Sequence, residues 1–231
     1  MDNLESINND EIPAIIDVSE PHMALLFLVD TSATMKGESI YQLTEGINSF
    51  IKDINQSDTG INKILDVAII EFNSIFKVVQ EFRPVKFSEP VGFTATSGVT
   101  MVPAIEKALE MIKERIRFYN LLGTASFKPW IILISATDPS DDISSVAQVV
   151  KDRETDGKLR FISLGVLEYN SNVLHNLSSP KVLKLNGTDF SDFFHWLKLN
   201  LDHMRIARAS PNDKPWIDLI GNVSIDKKSD L

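Results

Sequence analysis

The sequence predicts an α/β protein with a doubly wound, mainly parallel six-stranded sheet, one antiparallel edge strand and helices on both faces. Apolar runs of strand length alternate along the chain with longer segments whose apolar residues recur at helical spacing. That alternation is typical of a parallel sheet with a helix between successive strands. Only Asn73 and Ser74 separate two consecutive predicted strands, which indicates a tight antiparallel hairpin. A mainly parallel sheet often carries one such strand at its edge.

The individual elements follow from apolar periodicity. The first predicted strand, residues 24–30, is apolar up to Asp30, as expected of a strand that is covered on both faces. The helix that follows, residues 38–54, has its apolar residues on one face. The other strands are predicted at residues 63–72, 75–82, 129–135, 158–165 and 181–185. The other helices are predicted at residues 102–119, 142–154, 170–177 and 189–206.

The chain of 231 residues, 43% of them hydrophobic, is long enough for one full core with short tails. We expect one domain at residues 21–206, preceded by a flexible tail at residues 1–20 that Pro13 interrupts. Residues 207–231 are predicted to be a C-terminal extension. It carries one apolar patch at residues 216–220, and docking on the same domain and pairing with a partner strand are both open for that patch.

Composition excludes several classes of function. The formal net charge of −9 argues against a nucleic-acid backbone or an anionic membrane as the main partner. The absence of cysteine excludes a disulfide scaffold, a thiolate metal site and a cysteine nucleophile. The polar N-terminus lacks the features of a secretory signal, and the apolar runs are too short for a membrane span. We therefore expect a soluble, cytoplasmic protein.

Side-chain oxygens gather directly after the first predicted strand. Asp30, Ser32 and Thr34 occupy alternate positions, so in an extended segment they point the same way. Thr100 ends a separate loop just before a helix and can supply a fourth oxygen at the same rim. Carboxylate, hydroxyl and water oxygens suit a hard cation such as Mg²⁺. The residues also permit a purely structural role, in which they hydrogen-bond the loop and cap the next helix.

An enzymatic alternative starts from the same aspartate. An Asp at a strand end followed by a hydroxyl residue is also found in aspartyl-phosphate phosphohydrolases. Here, however, Ser32 stands where such an enzyme needs a second Asp as its acid and base. The chain contains neither a glycine-rich phosphate loop nor a Gly-x-Ser-x-Gly elbow. We therefore expect no catalytic activity. Asp141 and Asp142 are expected to cap the helix that follows them.

The pattern Asp-x-Ser-x-Thr-Met after an apolar strand, with Gly37 and Glu38 opening the next helix, resembles the von Willebrand factor A (vWA) domain. The resemblance covers roughly residues 20–206. That family binds a divalent ion through Asp-x-Ser-x-Ser, a distant Thr and a distant Asp, and uses the ion to grip an acidic side chain of a partner protein. Residues 37–48, 129–134 and 189–197 further resemble the bacterial tellurium-resistance (TerY-like) group. Proteins of that group are associated with protein kinases and protein phosphatases in stress or defence systems.

The resemblance implies a metal-ion-dependent adhesion site (MIDAS) that binds Mg²⁺, Mn²⁺ or Ca²⁺ through Asp30, Ser32, Thr34 and Thr100. One ligand is missing, because Ala136 stands where relatives have Asp. Asp138 replaces it only if its loop bends back. Since hard cations depend on ligand charge, the loss of one of two carboxylates weakens such a site. A retained Mg²⁺ site and a degenerate, empty one both stay open.

The function that the resemblance implies is a non-enzymatic protein-interaction module in a bacterial stress-response or signalling system such as tellurium resistance. Its Mg²⁺ ion would bind an Asp or Glu of the partner. The alternatives are a metal-independent scaffold for a kinase and phosphatase pair and, third, the phosphohydrolase.

Overall fold

The computed structural model describes residues 18–178, 182–207 and 218–226, which form a seven-stranded sheet and five α-helices. The strands are β1 (Met23–Asp30), β2 (Leu65–Phe72), β3 (Phe76–Pro84), β4 (Trp130–Ser135), β5 (Arg160–Gly165), β6 (Val182–Leu185) and β7 (Val223–Asp226). The helices are α1 (Glu38–Asn55), α2 (Val102–Leu121), α3 (Ser144–Thr155), α4 (Ser171–Leu177) and α5 (Ser191–Ala207). None of these described helices has the length and apolar character that crossing a membrane requires.

The predicted doubly wound α/β class is confirmed. The strand order is β3-β2-β1-β4-β5-β6-β7, in which β2, β1, β4, β5 and β6 are parallel and the two edge strands are antiparallel. The chain moves outward from β1 to β2 and β3 and then returns to place β4 on the other side of β1. The carboxyl ends of β1 and β4 therefore flank the topological switch point, where ligands bind in open α/β sheets.

The strand count differs from the prediction. The sheet has seven strands, because β7, within the predicted extension 207–231, pairs with β6. A four-residue strand is too short to give a clear pattern in the sequence. Within the predicted apolar patch, Leu219 and Ile220 pack against the core, while residues 216 and 217 lie outside the described part of the chain. The predicted tail at residues 1–20 is described only from residue 18 onward.

Every residue of β1 is buried, which explains its continuous apolar sequence. Alternate side chains point to opposite faces of the sheet. Leu25, Phe27 and Val29 belong to the core beneath α1 and α5. Leu26 and Leu28 belong to the core beneath α2, α3 and α4. The strand that ends in Asp30 is thus held rigidly from both sides.

An ion pair fixes α2 at the end of the sheet opposite to Asp30. Arg115 donates from Nη2 to Asp66 Oδ2 of β2 at 2.7 Å, and the Tyr119 hydroxyl donates to the same oxygen. The Arg115 guanidinium also lies 4.7 Å from the centre of the Phe118 ring. Burial and the neighbouring Asp66 raise the pKa of Tyr119 well above its usual value, so its hydroxyl remains a donor.

Helices α1 and α5 approach closely at Gly46. A Cβ atom on Gly46 would lie 2.5 Å from Cε2 of Phe194. The Phe194 ring has little room to move, because Phe27, Phe50, Phe190 and Phe193 all pack against it, with ring centroids 5.3–6.3 Å away. Glycine is therefore required here by space.

Gly46→Ala should lower the free energy of unfolding by about 1–2 kcal/mol, because overpacking a core costs about 1–3 kcal/mol. That cost exceeds the roughly 0.5–1 kcal/mol that alanine gains over glycine inside a helix. Urea unfolding followed by circular dichroism measures the change. Gly92→Ala is the control, because a Cβ there meets nothing within 4 Å. A Gly46→Ala variant as stable as the parent chain would contradict the described packing.

Candidate functional site

Asp30, at the carboxyl end of β1, is fully buried, with 0% of its surface exposed. Its Oδ1 accepts the backbone N–H of Ser32 at 2.8 Å. Its Oδ2 accepts the backbone N–H of Ala136 at 2.9 Å and the Thr137 hydroxyl at 3.1 Å. The Ser135 hydroxyl lies 3.4 Å from the same oxygen. One carboxylate therefore joins the ends of β1 and β4 across the switch point, and we name it the Asp30 clasp.

The other two residues of the motif lie in different environments. Ser32 is buried, and its Oγ lies 3.5 Å from the Thr137 hydroxyl oxygen. The prediction that Thr34 points the same way as Asp30 assumed an extended segment. That assumption fails beyond Ser32, because Ala33–Met35 form a 3-10 turn. Thr34 is exposed, and its hydroxyl makes no hydrogen bond to any described residue.

Thr100 lies at the same edge of the sheet, as predicted, but its hydroxyl contacts the β2–β3 hairpin. It donates to the carbonyl oxygens of Asn73 at 3.2 Å and Ser74 at 3.1 Å. Asn73 in turn donates from Nδ2 to the Thr31 hydroxyl at 3.0 Å, next to Asp30. Thr100 thus binds the hairpin, and none of its described hydrogen bonds reaches Asp30.

The loop after β4 supplies donors where the resemblance implies a carboxylate. Ala136 is fully buried and contributes its backbone N–H to Asp30. Asp138 does not bend back, because its Oδ1 accepts Asn170 Nδ2 at 2.8 Å in the loop after β5. Sequence reasoning missed Thr137 as a partner of Asp30. The signal was a hydroxyl residue two positions after the end of a buried strand, the same signal that identified Ser32.

The prediction that Asp141 caps the helix that follows it is wrong. Its carboxylate accepts the backbone N–H groups of Met101 at 2.9 Å and Val102 at 2.7 Å, at the start of α2. A carboxylate there is favoured by the free N–H groups and the helix dipole. Asp142 does bind the following helix, because it accepts the N–H and hydroxyl of Ser144, and these bonds lower the pKa of Asp142.

The polar groups around Asp30 fit a bound Mg²⁺ ion poorly. Mg²⁺ requires six oxygen ligands and usually keeps several waters, whereas the Asp30 carboxylate is closed off from solvent and already accepts hydrogen-bond donors on both oxygens. Asp138 and Asp141 bind other groups. In the described parts of the chain, no three His, Cys, Asp or Glu side chains form a group that could hold a metal ion.

Comparison with known proteins identifies the fold. No family model and no curated protein matches the chain. Among solved structures, the pilus adhesin SpaC from Lactobacillus rhamnosus GG in its open conformation is similar with a TM-score of 0.59 and 11% identity, over 79% of this chain and 30% of that one. Proximal thread matrix protein 1 from the mussel byssus is similar with a TM-score of 0.56 and 12% identity, over 79% of this chain and 48% of that one.

A further structure of the mussel protein, with a TM-score of 0.52 and 13% identity, has a zinc-occupied MIDAS motif. The chain spans about half the length of the mussel protein and less than a third of SpaC. At such low identity the likeness concerns the fold alone. Together with the strand order and the position of the Asp30 motif, it leads to one conclusion: the chain has the von Willebrand factor A fold.

Proposed function

We propose that the chain is a non-enzymatic protein-interaction module that binds its partner at the carboxyl edge of the sheet without a metal ion. The carrying observation is the Asp30 clasp, in which the single carboxylate of the motif is fully buried and bound by donors from the chain itself. We call the surface around it the binding rim. It comprises residues 31–37, 73–76, 91–100, 136–143 and 166–170.

Exposed apolar side chains on the binding rim support a protein partner. Ile75 is 70% exposed at the tip of the β2–β3 hairpin, and Leu167 is 38% exposed after β5. Leu167 has φ +57°, a left-handed conformation that is unfavourable for leucine and often marks functional loops. The exposed Thr34 adds a polar group between them. Protein interfaces typically combine apolar anchors with neighbouring polar groups.

The second candidate is the metal-dependent mode, in which a cation bound at Asp30, Ser32, Thr34 and Thr100 contacts an Asp or Glu of the partner. It is favoured by the intact Asp-x-Ser-x-Thr spacing and by the zinc in the MIDAS motif of the mussel protein. Membership of the tellurium-resistance group, with a kinase and a phosphatase as partners, rests on the sequence resemblance alone. The phosphohydrolase is disfavoured, because a fully buried Asp30 cannot reach a phosphate ester.

Asp30→Asn should lower the free energy of unfolding by about 2–4 kcal/mol, because the amide nitrogen would face groups that donate hydrogen bonds. The loss should be the same in EDTA and in millimolar Mg²⁺, measured by urea unfolding. Asp138→Asn is the control. Asp138 is exposed and lies in the loop that also contains Ala136 and Thr137, so this substitution should change the free energy of unfolding little. A parent chain that Mg²⁺ stabilises, beside an Asp30→Asn variant that it does not, would favour the metal-dependent mode.

Calorimetric titration with Mg²⁺, Mn²⁺ and Zn²⁺ should give no saturable heat that depends on Thr34, because the only carboxylate of the motif, Asp30, is buried and already accepts donors from the chain itself. Thr34→Ala is the matched variant, since Thr34 is exposed and its hydroxyl is free of described hydrogen bonds. Saturable binding that Thr34→Ala abolishes would establish the second candidate. Turnover of a generic phosphate ester that Asp30→Asn abolishes would establish the phosphohydrolase.

Ile75→Asp and Leu167→Asp should each reduce capture of the partner from lysate of the native host at least about tenfold, because a charge placed in an apolar contact is costly to bury. Aspartate also tolerates the left-handed backbone at residue 167. Leu121→Asp is the matched control, because Leu121 is 69% exposed at the far end of α2. Quantitative mass spectrometry, with EDTA present, compares the variants. Equal loss with Leu121→Asp would contradict binding at the rim.

A further inference from the structure

A polar cluster outside the Asp30 clasp connects the C-terminal strand to the binding rim. Asp226, the last residue of β7, accepts the Ser171 hydroxyl at 2.5 Å. Its Oδ2 lies 3.5 Å from Nε2 of His175, a side chain that is only 10% exposed. The Tyr169 side chain also lies close enough to Asp226 for this carboxylate to raise the pKa of the phenol. A single carboxylate on β7 therefore faces three side chains of one short segment, residues 169–175.

Tyr169 couples this cluster to the sheet as well. Its ring lies directly on Gly165, where a Cβ atom would be 2.4 Å from ring carbon Cδ2. Gly165 is the last residue of β5. Two residues before it, Ser163 pairs with Val182 of β6, and Val182 in turn pairs with Asp226 of β7. Burial, and then the charge of Asp226, raise the pKa of Tyr169, so its hydroxyl stays protonated beside this carboxylate.

The same segment forms part of the binding rim. Leu167 takes its left-handed conformation two residues before Tyr169. Asn170 donates to Asp138 at 2.8 Å, and its Oδ1 accepts the N–H of Val173 to cap α4. The rim loop 166–170 is thus held from the front by Asp138 and from behind by Asp226. Strain at Leu167 persists only while such surrounding contacts hold it.

β7 and the residue before it also contact α5 and the turn that precedes α5. The backbone N–H of Asn222 donates to Asp192 of α5 at 2.9 Å, and Asn186 donates to Ser224 at 3.1 Å. Val223 is buried in the core beneath α1 and α5. The strand reaches the rim loop through Asp226, whereas its other contacts lie on β6, α5 and the turn before α5.

We infer that β7 is a latch for the binding rim: docking of Asp226 against Tyr169, Ser171 and His175 selects the loop conformation that exposes Leu167. A change in β7 therefore changes the rim, although β7 itself lies at the edge of the sheet. Because such coupling is reciprocal, a change in the rim loop also loosens β7. The regulatory meaning rests on the proposed binding at the rim, whereas the coupling itself can be measured without a partner.

Hydrogen–deuterium exchange of the full chain tests the latch. Asp226→Ala should speed amide exchange of residues 166–173 at least about tenfold, because the segment loses the hydrogen bond from Ser171 and the contacts of Tyr169 and His175 with the carboxylate. Exchange in β1 serves as the internal reference and should not change. Ser224→Ala is the matched control, because Ser224 lies on the same strand as Asp226. The substitution removes the hydrogen bond that Ser224 accepts from Asn186 and leaves residues 169–175 untouched.

Tyr169→Phe provides the reverse test and keeps the ring on Gly165. It should speed exchange of residues 223–226 by roughly threefold or more, while Ser224→Ala leaves residues 166–173 at the parent rate. Parent-like exchange of residues 166–173 in Asp226→Ala, with β7 exchanging faster, would overturn the latch. That result would leave binding at the rim intact, because the loss of partner capture by Ile75→Asp does not depend on β7.

Discussion

A carboxylate removed from water must be surrounded by hydrogen-bond donors, and the Asp30 clasp meets that requirement at the centre of this fold. The donors come from both sides of the switch point: Ser32 after β1, and Ala136 with Thr137 after β4. The two loops are therefore mutually dependent. The hairpin joins the same unit, because Asn73 binds both Thr31 and Thr100.

Helix α2 extends this dependence through the thickness of the domain. Asp141, from the loop after β4, holds its first turn, and Asp66 of β2 holds its last turns through Arg115 and Tyr119. Removing either partner of a buried, hydrogen-bonded ion pair leaves an uncompensated charge, which costs far more than the pair contributes when intact. Both ends of α2 are thus fixed by carboxylates, one from the loop after β4 and one from β2, so the rim rests on a rigid support.

The sequence predicted the class of fold well, since long apolar strands and amphipathic helices carry their own periodicity. β1 and α1 were predicted almost to the residue. β7 escaped prediction because four residues have no periodicity, and its place depends on contacts with β6 and α5. Within the site, the position of Asp30 followed from the end of β1. The backbone conformation at Thr34 did not, because Thr34 lies in a 3-10 turn that the carbonyl of Ser32 begins.

The same limit explains Asp141 and Thr100. Both were predicted to act locally or toward Asp30, and both instead bind backbone groups of segments about 27–40 residues away in the chain. Polar side chains in loops hydrogen-bond unpaired backbone groups that lie close to them, and the assembled fold determines which groups are close. Pattern in the sequence therefore identifies which residues are available for a site, whereas tertiary contacts decide whether they bind each other or a ligand.

The two antiparallel edge strands bear on self-association. Unpaired edges invite strand-to-strand addition between copies, and natural sheets limit it with charges, irregular pairing and short edges. β3 carries Lys77, Glu81 and Arg83 and has two irregularities in its register with β2. β7 spans four residues. Within the described residues the sheet therefore offers no long regular edge on which a second copy could add a strand. The chain can expose apolar side chains at its rim without promoting aggregation through its sheet edges.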